Sequence, residues 1–205
     1  MKKIAVLASG SATAGGSGFE KLVEAIKRGD LEAEIVCVLS NHATGGVAEK
    51  AHKHGIRFVH FASPWTAKRC YQLIGTEVDL LCMSGWLKRI TGLNPQKTIN
   101  IHPGPLPEFG GPGMYGHHVH EAVMQAYQEG KIRESAVSMH FVTDVYDAGP
   151  VFFALPIPIE AEDTTDSLAR RVNAAEHLYQ WQFTKYVLEG RIWWDGRDPA
   201  SLICA

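Results

Sequence analysis

The chain has 205 residues, 45% of them hydrophobic, enough to bury one good core without disulfide or metal staples. Its formal net charge of -2 carries both signs along the whole length, with no Lys/Arg run to follow a phosphate backbone or a membrane surface. Nucleic acid and lipid are therefore excluded as expected partners, and an anionic small molecule must be held by a local site.

In chain order, short apolar runs alternate with helical patterns through the first half, which points to βαβ units and a parallel sheet. Strands are expected at 4–8, 34–40, 57–61, 78–83 and 98–102. Phe19, Leu22, Val23 and Ile26 recur at helical spacing up to Gly29. A second helix covers 47–54 and stops at Gly55, and a third is expected to open at Ser63-Pro64, as an N-cap and a first-turn proline. After Pro103 a Pro/Gly loop leads to a helix over 117–128. Extended runs follow at 136–143 and 150–159, joined by the short connection 144–149. A long helix is expected over 164–188 with Asp163 as its N-cap, and 191–194 adds a last short strand.

These elements give an α/β fold, a Rossmann-like three-layer sandwich. Its parallel sheet lies in the N-terminal half, and an antiparallel strand pair is added in the C-terminal half. We expect a single domain over 1–205, in two halves, 1–97 and 98–205. Cys37, Cys70, Cys82 and Cys204 show no CxxC spacing, which fits a reducing cytoplasm. Lys2-Lys3 leads into only about five apolar residues, too few for a signal peptide, and no run approaches the roughly 20 needed for a membrane span.

The first strand empties into "SGSATAGGSGF" (9–19) just before a helix. Backbone N–H groups of such a turn and the positive end of the helix suit a small phosphate. The alternative is a plain tight turn of an α/β protein. The loop lacks G-x-G-x-x-G and G-x-x-x-x-G-K-[ST], so a dinucleotide and a nucleoside triphosphate are disfavoured and a phosphoribosyl-sized ligand is not.

In "TINIHPGPLP" (98–107), strand alternation sends Asn100 and His102 to one side and Ile99 and Ile101 to the other, and Pro103 ends the ladder. At the carboxyl end of a parallel sheet the pair projects where such folds bind ligands. An amide and an imidazole there suit an oxyanion at a carbonyl carbon under attack. The alternative is that they merely tie down the proline loop. In "HFVTDVYDAGPV" (140–151), Asp144 and Asp147 are ordinary turn formers, yet a carboxylate brought beside His102 would favour its protonated form. Among His117, His118 and His120, and His52 and His54, the adjacent and i,i+2 histidines do not share a helix face and no carboxylate or thiol completes a set, so no metal site is expected.

Together "NIHPGPLP", "GMYGHHVHEAV", "SMHFVTDVYDAGPV" and "NAAEHLY", in this order and spacing, resemble the folate-dependent phosphoribosylglycinamide (glycinamide ribonucleotide) formyltransferases. The wider group using 10-formyltetrahydrofolate shares the N-x-H-P strand and the later Asp. The likeness runs from Ile4 to about Trp194, and the length favours the purine enzyme. The resemblance implies formyl transfer from 10-formyltetrahydrofolate to the amine of glycinamide ribonucleotide, by a monomer or homodimer. It implies catalytic roles for Asn100, His102 and Asp147, with His140 close by. Gly15, Gly16, Ser17 and Gly18 fall where the family binds the phosphate and Glu176 where it binds the ribose. The folate falls near Arg89, Ile90, Thr91, Asn100 and the loop from Val142 through Asp144 to Asp147.

Three departures from the family pattern stand out. The loop is longer than G-x-G-S-N-L, with Gly18 and Phe19 in place of Asn and Leu. Pro112 stands where a lysine is common, and Lys68 near a common arginine. Other readings are a deformylase or formyltransferase with a different amine, and a noncatalytic phosphate or nucleotide-binding module.

Overall fold

The computed structural model describes residues 1–11 and 14–205. A seven-stranded sheet has β1 (Lys2–Leu7), β2 (Ala33–Ser40), β3 (Phe58–His60), β4 (Leu80–Ser84), β5 (Thr98–His102), β6 (Glu134–Phe141) and β7 (Val151–Pro158). Its order is β3-β2-β1-β4-β5-β6-β7. The first four junctions are parallel and the last two antiparallel, so the expected parallel half with its added antiparallel pair is what forms.

The helices are α1 (Ser17–Arg28), α2 (Gly46–His54), α3 (Ala67–Ile74), α4 (His117–Gln128) and α5 (Thr165–Leu188). β1 is apolar on both faces, as a central parallel strand must be. Ile4 and Val6 enter the core shared with α1, α4 and α5, whereas Ala5 and Leu7 enter a second core with α3 on the opposite face. Three layers result. The short β8 (Ile192–Trp193) pairs antiparallel with β9 (Ile203–Cys204) outside the main sheet.

Two helix starts differ from expectation. α3 opens at Thr66, whose side chain accepts from the Arg69 amide, while the Trp65 indole donates to the Phe61 carbonyl at 2.9 Å and 63–65 stay outside the helix. At α5 the N-cap is Thr164, in a reciprocal capping box with Ser167. Asp163 instead accepts from the Glu160 amide and Ser167 hydroxyl and pairs with Arg171, which holds its carboxyl down at about 2.

The chain runs from β1 outward through β2 and β3, then crosses back to β4 and β5 on the other side. The strand order therefore reverses between β1 and β4, and open α/β sheets bind ligands at the carboxyl ends of strands flanking such a reversal.

Candidate active site

A cavity of about 580 Å³ opens at this reversal. Its wall begins with Gly10 after β1 and Ser84, Gly85 and Trp86 after β4. It continues with Asn100 and His102 on β5, and it is closed by 111–117, Tyr146, Asp147 and the α5 face carrying Asn173, Glu176, His177 and Gln180.

One end is the glycine loop. Gly15, Gly16, Ser17 and Gly18 all border the cavity. Gly16, the residue before α1, has φ 74, which a side chain would strain. The Ser11 amide donates to the Ala14 carbonyl at 2.8 Å, and a helix start such as that of α1 leaves its first amides without intrahelical partners.

Strand alternation does what the sequence indicates: Ile99 and Ile101 enter the core while Asn100 and His102 border the cavity. The antiparallel register sets Asn100 opposite His140. The His140 Nδ1 donates to the Phe141 carbonyl at 2.8 Å, and Asn100 Nδ2 lies 3.1 Å from His140 Nε2. Whether His140 Nε2 accepts from Asn100 or donates to Asp147, at least one amide hydrogen of Asn100 is left for a ligand.

Asp147 reaches the same place from the β6–β7 connection. Its oxygens lie 3.9 Å from His102 Nδ1 and 3.5 Å from His140 Nε2, and one accepts from the Gly111 amide at 3.0 Å. The backbone at Asp147 is left-handed (φ 51), a conformation that Asp tolerates better than most residues. Gly110 lets the proline loop pass over it, since a Cβ there would sit 2.9 Å from that of Asp147. Burial pushes the Asp147 carboxyl up, but the His140 contact, the His102 ring and the Gly111 amide together outweigh it and hold it down. It is ionised at neutral pH.

His102 is 3% exposed. Burial lowers its pKa, and neither Asp147 nor the Phe109 carbonyl, which accepts from Nε2 at 2.8 Å, reverses that. Asp147 favours the protonated ring, as expected, but not enough to keep His102 charged. At 3.9 Å the ion pair is too loose to offset desolvation, and the ring rests neutral with its Nδ1 lone pair toward Asp147.

Glu176 is on the wall, accepting from Asn173 Nδ2 at 3.0 Å, and burial pushes its carboxyl up to about 7. The remaining sequence candidates lie beside the cavity rather than on its wall. Arg89 donates to the Asp144 carbonyl at 2.9 Å, the Asp144 carboxylate accepts from the Gly92 amide at 2.6 Å, and Ile90 is buried in the second core with Val142 packed against it. Thr91 bridges to Thr66.

The sequence reading did not single out Ser84, Trp86, Tyr146, His177 or Gln180, and assigned His120 no role beyond a rejected metal site. Position 180 follows Glu176 by one helical turn, which is the sequence pattern that could have pointed to it. His120 Nδ1 and His177 Nε2 are buried without a hydrogen-bond partner among the described residues, and burial lowers both rings, His120 to about 4. Among the described residues no group of three His, Cys, Asp or Glu is placed to hold a metal, and no helix is long and apolar enough to cross a membrane.

Comparison with known proteins shows which family shares this fold and sequence. The phosphoribosylglycinamide formyltransferase of Vigna unguiculata, described as chloroplastic, is 35% identical over 98% of this chain, and the chain spans 65% of that protein's length. The Bacillus subtilis phosphoribosylglycinamide formyltransferase is 30% identical over 92% of the chain and 95% of its own length. Among solved structures, glycinamide ribonucleotide transformylase 1 from Symbiobacterium toebii superposes with a TM-score of 0.81 at 29% identity, covering 100% of this chain and 95% of that one. The family model described as formyl transferase matches residues 2–183, a stretch that takes in the glycine loop, β5, the Asp147 turn and most of α5. The chain belongs to the formyl transferase family.

Proposed function

We propose that the chain transfers a formyl group from 10-formyltetrahydrofolate to the amine of glycinamide ribonucleotide in purine biosynthesis, in a reducing cytoplasm where its four free cysteines stay unpaired. The observation that carries this reading is an ionised carboxylate beside an amide and a neutral imidazole, in the same cavity as an anion-suited loop.

The cavity has two ends of different chemistry. The glycine loop and Glu176 suit a phosphoribosyl group: helix amides for the phosphate, a carboxyl group for sugar hydroxyls. The other end combines Trp86, Leu87, Met114 and Tyr146 with Asn100, which suits a flat conjugated ring with polar edges. Arg89, Ile90, Thr91, Val142 and Asp144 support that end from outside. They fix the loop carrying Tyr146 and Asp147, and Arg89 stands over the Tyr146 ring at 5.8 Å. 10-Formyltetrahydrofolate supplies an activated formyl carbon.

The chain's own residues then do the rest. Asn100 donates its free amide hydrogen where negative charge develops on the formyl oxygen. Asp147 accepts the proton shed by the attacking amine, directly or through a water. His102 starts neutral and can hold that proton on Nδ1, where the Asp147 charge stabilises the imidazolium, and the proton then passes, through a water, to the folate nitrogen as its bond to the formyl carbon breaks. Both partners are needed, since binding alone requires no such pair.

The test is folate release by purified protein with and without glycinamide ribonucleotide. Acceptor-dependent release supports transfer. Equal release indicates hydrolysis and refutes the assigned acceptor.

A further inference from the structure

The most informative departure from a plain phosphate loop is at Gly18, in the first turn of α1 and on the cavity wall. A Cβ there would collide with Ser84 Oγ and stand 2.7 Å from Gln180 Oε1. The space is therefore already filled by polar groups from two other elements, the end of β4 and the middle of α5. Ser84 Oγ donates to Gln180 Oε1 at 3.1 Å, across 96 residues of sequence.

Gln180 is 2% exposed, and burying a carboxamide is costly unless its hydrogen-bonding capacity is used. Yet its Nε2 makes no hydrogen bond among the described residues, and it is not sealed off either, because the residue borders the cavity. The bond to Ser84 uses the Gln180 oxygen, which leaves Nε2 without a partner among the described residues. Gln180 is one turn beyond Glu176 on the same helix face, opposite the α1 amides.

We propose that Gln180 is a specificity-determining residue of the acceptor half, its Nε2 donating to an oxygen of the phosphoribosyl group while Ser84 holds it in register. The pair supplies from α5 and β4 a side-chain donor that the backbone at position 18 has no room to carry. This inference rests on the phosphoribosyl reading of that end of the cavity.

The test combines Gln180→Met, which keeps length and removes the donor, with Ser84→Ala, which keeps the donor and frees its orientation. Two quantities are read: KM for glycinamide ribonucleotide against KM for 10-formyltetrahydrofolate, and calorimetric Kd for ribose 5-phosphate. Loss of a hydrogen bond to an anionic ligand predicts a rise of about 10- to 100-fold in acceptor KM and ribose 5-phosphate Kd for Gln180→Met. A smaller rise is expected for Ser84→Ala, and the folate KM stays constant in both.

Unchanged acceptor constants, or a folate KM that rises equally, overturn the proposal. Should Gln180→Met fail to fold, Ser84→Ala decides alone, an unchanged Kd overturning it. A wild type that binds ribose 5-phosphate but does not formylate glycinamide ribonucleotide refutes the assigned acceptor, and the ribose 5-phosphate Kd still reads Gln180. A wild type that binds neither overturns both.

Discussion

Glu176 gives a quantitative handle on the acceptor end of the cavity. Its carboxyl is raised from an ordinary 4.5 to about 7 by burial, with Asn173 only partly opposing the shift. At 1.36 kcal/mol per pKa unit, ionising it in the fold costs at most about 3 kcal/mol. The carboxyl lines an open cavity, which makes this a ceiling. The sign follows from proton counting: between pH 4.5 and 7 the unfolded chain has lost the Glu176 proton and the folded chain keeps it. Stability from this group is therefore complete below 4.5 and lost as pH rises through 7. A glutamine side chain at this position would carry no such dependence. Thermal melts of wild type and Glu176→Gln from pH 4 to 8 are then expected to diverge in favour of the variant. The gap should grow up to about pH 7 and stay level beyond it, reaching at most about 6 to 12 °C for a chain of this size. Melting curves that stay parallel across the range would refute a buried, proton-holding Glu176.

Three further outcomes follow from the geometry. Asn100→Ala removes the one oxyanion donor identified on β5 and is expected to lower kcat by about 100- to 1,000-fold in steady-state assays with both substrates. Asp147→Asn is expected to keep the fold, since Asn also tolerates the left-handed backbone, while losing kcat by at least about 100-fold. Asp147→Asn also removes the charge that favours the protonated His102 ring, so the limb of the pH–rate profile set by His102 is expected to move to lower pH in the variant. Thr164→Ala breaks the capping box of α5 and costs about 1 kcal/mol, read as a Tm lower by about 2 to 4 °C with KM values unchanged.

The elements differ in how openly the sequence declares them. β5 is legible to the residue, because Pro103 cannot continue the ladder and the Asn-x-His alternation fixes the face of each side chain. The helix starts at Thr66 and Thr164 are not, because Ser63 and Asp163 are equally good capping residues by type. The choice falls to contacts such as Trp65 on Phe61 and Asp163 on Arg171. At the site, Asp147 is readable only as a turn former. What gives it a partner is the pairing of β5 with β6 and of β6 with β7, which brings residues 45 apart in sequence to within 3.9 Å.

The charge state of His102 was beyond reach for a related reason. It turns on burial and on a 3.9 Å separation, both set by the proline loop folding over the ring. Of the Ser84–Gln180 pair only the one-turn spacing of position 180 from Glu176 shows in the sequence, since neither residue type is unusual in its own element.

The central claim is that the carboxylate and amide at the switch point pass a formyl carbon to an amine rather than to water. It is tested most directly by following a ¹³C-labelled formyl group by NMR. With glycinamide ribonucleotide present, the wild type should move the label from folate nitrogen to an amide carbon of the acceptor, and Asp147→Asn should leave it on the folate. Label appearing as free formate at the same rate with or without acceptor would contradict the account.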